Sequence, residues 1–163
     1  MDQPDNPARG IFTKRWIRWA ALALAIGIVI LGLLFAWYAQ VKGSAERYAQ
    51  QATSDVTRDW AADDLTGRAT AGLARTPRES LERYLAFIKS QLGSLTGVRS
   101  AEATGGTLSV GGLAVTVRVV AEFEKGQAKV SWLLVREGGS WKVASVTFDS
   151  DQIRLPVPST ASR

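Results

Sequence analysis

The sequence predicts an α+β fold: a single N-terminal transmembrane helix, then a small domain of amphipathic helices packed on a four-stranded antiparallel meander. Three observations carry this prediction. Residues 19–39 contain no charged or strongly polar side chain. Residues 44–65 and 77–92 repeat apolar side chains at helical spacing. From about residue 98 the period switches to alternation, punctuated by glycine pairs.

The apolar run comes first. Twenty-one helical residues reach about 31 Å at about 1.5 Å each, enough to cross the hydrocarbon core of a bilayer. A secretory signal has a shorter apolar region and a small-residue cleavage site, whereas Trp37 and Tyr38 crowd the far end here. Trp16 and Trp19 at one end, with Trp37 and Tyr38 at the other, form the aromatic belt of a helix that stays in the membrane. A buried core helix would need a larger protein around it. Arg9, Lys14, Arg15 and Arg18 precede the run, and only Lys42 and Arg47 follow closely. The positive-inside rule therefore places residues 1–18 in the cytoplasm and residues 40–150 outside it, periplasmic in a Gram-negative cell. The expected location is the inner (cytoplasmic) membrane, single-pass.

The basic balance belongs mainly to that flank. Residues 1–43 hold five Lys/Arg against two Asp, and residues 44–163 hold fifteen against thirteen acids. With no basic cluster interleaved with aromatics, nucleic acid is not an expected partner. The small-xxx-small pairs Ala21/Ala25 and Gly32/Ala36 arise readily by chance in an alanine-rich helix, so they are weak evidence for dimerisation.

In the domain, Tyr48, Ala52, Val56 and Trp60 recur every four residues along a stem helix over 44–65. "TGRATAGLAR" breaks it with two glycines. "RTPRESLERYLAFIKSQLG" predicts a helix over 77–92, with Thr76 as N-cap, Pro77 at the first position, Glu79 closing a capping box and Gly93 as C-cap. Leu81, Tyr84, Leu85, Ile88 and Leu92 form its apolar face, a stripe typical of core packing. Four strands between residues 98 and 150 follow, with turns expected at Gly111-Gly112, Lys125-Gly126 and Gly138-Gly139. The tail, 151–163, is polar with two prolines and is expected to be disordered.

The anchor, the amphipathic helix ending near Trp60, the helix closing in "QLGSL" and the stretch "AEFEKGQAKVSWLLVREGGSWKVASVTFD" together resemble a known layout. It is that of membrane-anchored nuclear-transport-factor-two-like proteins, with their cystatin-like cone. The resemblance covers residues 44 to 150 and is nearest to uncharacterised bacterial inner-membrane proteins. The cone-fold component of type IV secretion systems and the mammalian-cell-entry associated membrane proteins share the plan more distantly. The resemblance implies a curved sheet wrapped around helix 77–92. It implies no reaction, because that fold hosts isomerases, dehydratases and binding modules alike.

The chemistry-bearing residues point away from catalysis. The chain has no His and no Cys, which removes the commonest general base, metal ligand and thiolate. The available acids are Asp59, Asp63, Asp64, Glu122, Asp149 and Asp151. Asp63 and Asp64 diverge on a helix, and Asp59 with Asp63 lies in a charged, solvated segment. Tyr84 sits in the packing stripe. The glycine pairs lie in hairpins, not in a strand-to-helix phosphate loop. No catalytic residue, cofactor or metal is expected.

Two binding readings remain, a docking surface for protein and a small apolar ligand pocket between helix and sheet, lined by Trp132 and Trp141. Strand register separates them. The turns at Lys125-Gly126 and Gly138-Gly139 set Val119 opposite Trp132, Leu134 opposite Val143, and Leu133 opposite Ala144. One face then collects Val115, Val117, Val119, Phe123, Val130, Trp132, Leu134, Trp141 and Val143 for the core. The other collects Val120, Leu133, Val135, Val146 and Phe148, among Arg118, Glu122, Lys129 and Lys142. That second face is the expected interaction patch, for a protein partner or self-association. The plain alternative is scattered apolar exposure, which is ordinary on sheets.

Overall fold

The computed structural model describes residues 9–109 and 112–153. Two compact units divide the chain, Met1–Val41 and Lys42–Arg163. In the first, helix α1 (Arg9–Asp59) carries the uncharged run, and its side chains from Trp19 to Gln40 are exposed along their whole length. This helix is long and apolar enough to cross a membrane.

The second unit is the α+β domain. The stem expected over 44–65 is here the C-terminal part of α1, a helix of 51 residues. The helix ends at Asp59, short of the expected residue 65, and the reason is Trp60. Its φ of 57° is left-handed, and its backbone N–H donates to Val56 O at 3.0 Å. That bond is the single-bond left-handed helix cap, with Trp where glycine is usual. Ala61 is extended, and a short helix, α2 (Ala62–Thr66), follows with Leu65 fully buried.

Within this unit α1 turns Ala45, Ala49, Ala52, Thr53, Val56 and Thr57 into the core. The predicted stripe is centred slightly off this face: Ala52, Val56 and Trp60 are buried, and Tyr48 is half-buried. The buried threonines are satisfied along the helix. Thr53 Oγ1 donates to Ala49 O at 2.8 Å, and Thr57 Oγ1 donates to Thr53 O at 2.7 Å. Thr53 Oγ1 also accepts from Trp132 Nε1 at 2.9 Å, fixing the sheet's largest core side chain to the helix.

Helix α3 (Arg78–Leu92) buries Leu81, Leu85, Ile88 and Leu92, with Tyr84 half-buried. The capping expectation is corrected here. Pro77 is the N-cap and no side chain caps the helix; Thr76 lies outside it, its N–H closing a 3-10 turn, Leu73–Arg75, onto Leu73 O. At the other end Gly93 stands at φ 78°, where a Cβ would meet Glu124 Oε2 at 2.6 Å. That carboxylate accepts from Ser94 N–H, so glycine is required by both backbone and neighbour.

Strands β1 (Leu95–Ser109), β2 (Gly112–Phe123), β3 (Gly126–Glu137) and β4 (Ser140–Asp149) form one antiparallel sheet in sequence order. Strand β1 begins at Leu95 and not at 98. The Gly111 half of the first expected turn lies outside the described residues, and Gly112 already belongs to β2, opposite Ser109. At the second hairpin Phe123 pairs with Gly126, so Val119 meets Val130 and not Trp132. The shift is two residues, which preserves every side chain's face. The third hairpin is as predicted: Glu137 pairs with Ser140, Leu134 pairs with Val143, and Gly138 and Gly139 both take positive φ.

One residue further the prediction fails. Leu133 pairs with Ser145, leaving Ala144 as the extra residue of a β-bulge. An extra residue flips everything after it to the other face. Val146 therefore packs against the core, and Phe148 is 6% exposed inside it. Beside the bulge, Val143 is held on its outer side. Its N–H donates to Arg68 O at 2.7 Å and its C=O accepts from Thr70 N–H at 2.8 Å, a short parallel bridge centred on Ala69. This segment covers part of the open edge of β4. Arg68 is itself held by Asp55 of α1, and its guanidinium lies over the Tyr48 ring.

Candidate interaction surface

The helices cover one face of the sheet, so the other is the surface on which a partner could be seated. The observed register lays out its rows. Ala114, Val135 and Lys142 form one; Thr116, Leu133 and Ser145 form the next. Then come Glu102, Arg118, Ser131 and Thr147, followed by Ser100, Val120, Lys129 and Asp149.

Five residues were expected to make the patch, and the structure divides them. Leu133 is 37% exposed, and beyond Tyr38 it is the only exposed large hydrophobic among the described residues. Val135, two residues away on the same strand face, is half-buried beside Ala114. Val120 is on this face but two rows distant, about 13 Å along β2 at about 3.4 Å per residue. Val146 and Phe148 are on the opposite face, carried there by the bulge at Ala144. What remains contiguous is a small apolar island, Leu133 with Val135 and Ala114, in a field of Ser, Thr and charged side chains.

The charges across this face of the sheet are mixed in sign. Arg99 pairs with Glu122 at 2.5 Å, and Arg118, Lys129 and Lys142 alternate with Glu102 and Asp149. Such a mixed field gives register and selectivity in a contact more than raw affinity.

The other candidate residues are dispersed. Asp63 pairs with Arg78 at 2.8 Å on the exposed flank of α3. Asp59, Asp149 and Asp151 are exposed and Asp64 is half-buried. Among the described residues no three metal-ligating side chains gather. Trp132 is core. Trp141 is half-buried, donating from Nε1 to Ser44 Oγ at 3.1 Å with Arg136 over its ring.

A crevice exists elsewhere, between α3 and β4. It measures about 330 Å³ and is lined by Tyr84, Phe87, Ile88, Phe148 and Ile153, with Thr147, Asp149 and Ser150 at its rim. Tyr84 is pushed above the usual tyrosine range by burial, a shift opposed by the hydrogen bond from the Phe148 backbone to its phenol. Sequence reasoning missed the crevice because it turned Phe148 outward. Ile153, expected in a disordered tail, packs against the core; the rest of that tail, 154–163, lies outside the described residues.

No protein-family model, curated protein or solved structure matches the chain.

Proposed function

We propose that this chain is a single-pass protein of the inner membrane, with its N-terminus in the cytoplasm. Its extracytoplasmic domain docks a protein partner or a second copy of itself and performs no catalysis. The observation that carries the reading is the uncovered sheet face with Leu133 exposed at its centre. The membrane part rests on the apolar half of α1, and the orientation rests on the basic residues before Trp19. Helices on one face of a four-stranded meander also underlie the cone-fold resemblance. That layout is shared by many functions, so the uncovered face supports this reading more directly.

The test is chemical crosslinking of the full chain in its native membrane, comparing wild type with a Leu133→Lys, Val135→Lys double variant. The wild type is expected to give a discrete crosslinked species and the variant only monomer, with an unchanged thermal melt. A crosslinked species that survives both lysines, or a wild type that yields none, would remove the docking face. The second reading, a small apolar ligand, is favoured by the aromatic and aliphatic lining of the α3/β4 crevice. It predicts that Phe87→Asp, and not the double lysine variant, alters function.

A further inference from the structure

Trp60 combines two features that a residue used only for packing does not need. Its backbone is left-handed at φ 57°, the only positive φ outside glycine among the described residues. Its indole Nε1–H is buried with no hydrogen-bond partner, again the only such side-chain polar atom described. A left-handed conformation is disfavoured for any residue with a Cβ, and a buried donor without a partner forfeits its hydration. Both penalties are relieved once the indole stands in water and the backbone relaxes, at the expense of the cap bond from Trp60 N–H to Val56 O. Trp132 is the internal contrast: it is fully buried where Trp60 is 6% exposed, and its Nε1–H donates to Thr53.

The surroundings suit movement. Trp60 links the end of α1 to α2 through extended Ala61, so these two non-helical positions are the hinge about which the ring would turn. Its ring lies 5.9 Å from that of Phe123 and 5.7 Å from that of Phe148. Phe148 in turn stands 6.4 Å from Tyr84, and both line the α3/β4 crevice. One aromatic ring separates the Trp60 site from that crevice.

We propose that Trp60 is a releasable plug. Its indole leaves the core while the sheet and α1 stay folded, and the vacated space joins the crevice between α3 and β4. Burial of the indole keeps the plugged form as the ground state, and the strained backbone and unpaired donor narrow the gap to the released one. In the released form the apolar cavity is larger than the one visible at rest and takes a small apolar ligand.

Hydrogen exchange at the indole nitrogens tests this on the full chain in detergent micelles, with all six tryptophans labelled. The Trp60 Nε1–H is expected to exchange at least about tenfold faster than that of Trp132, with a shallow dependence on urea, as local opening requires. Saturation with xenon, which enters apolar cavities, should raise the Trp60 rate about twofold and leave Trp132 unchanged. Equal rates with the same steep urea dependence would show that Trp60 leaves only on global unfolding and would overturn the proposal. So would a long-lived bound water on the Trp60 indole, because the donor would then be satisfied. Indifference to xenon would sink the joined cavity.

Discussion

Trp60 shows how a single residue ends one helix and fills a core at once. The left-handed cap directs the indole between Phe123 and Phe148, and glycine, the usual occupant, would leave that space empty. Removing the ring costs about 3–5 kcal/mol on the scale of buried aromatics. The two obvious truncations should not be equal. Trp60→Gly relieves the strained φ while Trp60→Ala keeps it, so the glycine variant is expected to be more stable by about 1 kcal/mol. That order is the reverse of the one found inside helices. Urea midpoints of the two variants measure it, and alanine proving the more stable would show that position 60 does not need a positive φ. Tyr84 offers a second residue-scale test. Burial raises its folded pKa, so on raising the pH the unfolded chain ionises first and binds fewer protons than the native one. Stability is therefore present below the ordinary tyrosine range and falls as pH climbs through it. Tyr84→Phe should flatten that alkaline decline between about pH 9 and 11, while losing the Phe148 hydrogen bond at neutral pH. An unchanged alkaline slope would mean that Tyr84 is not the group responsible.

At the scale of elements, α3 was the most legible part of the chain and the sheet the most deceptive. The helix stripe Leu81, Leu85, Ile88 and Leu92 is a period-3.6 pattern, and all four residues are buried. Leu85→Ala and Ile88→Ala should each cost about 2–5 kcal/mol, read from chemical unfolding of the full chain in detergent. Losses under about 1 kcal/mol in both would mean the stripe is solvated. Alternation along β2 is equally clear, and there the faces fall as read. Strand β4 differs because alternation assigns faces only while the count of residues is preserved. Ala144 breaks that count. Its neighbour Val143 is bonded on its outer side to Arg68 and Thr70, from a loop some seventy positions earlier in the chain. No local pattern in "SWKVASVTFD" announces such a partner, so Phe148 reads as outward and is in fact core.

For the whole molecule, the continuous course of α1 is the feature with the widest consequence. One helix carries the apolar run and then contributes Ala45, Ala49, Ala52 and Val56 to the core of the domain. One element therefore carries both the run apolar enough to cross a membrane and part of the domain core. The proposed orientation predicts that alkaline phosphatase fused after Arg163 is active in a bacterial host, since that enzyme folds only after export. A fusion inactive there, with a cytoplasmic reporter active at the same point, would reverse the topology. The same architecture keeps the free sheet face available for contact, but with a smaller apolar island than five aligned residues would have given.

What the sequence determined by itself is whatever depends on near neighbours. The uncharged run of α1, the stripe of α3, the alternation of β2 and the Gly138-Gly139 turn follow from periods and backbone freedom within a few residues. The α+β class follows from their order. What only the tertiary structure decided depends on contacts distant in sequence. The bulge at Ala144 accompanies an edge pairing with the Ala69 segment, and the left-handed Trp60 is stabilised by two aromatic rings from β2 and β4. In each case burial or a backbone hydrogen bond to a remote segment outweighs a local preference of about 1 kcal/mol, and that remote partner is not visible in the local sequence.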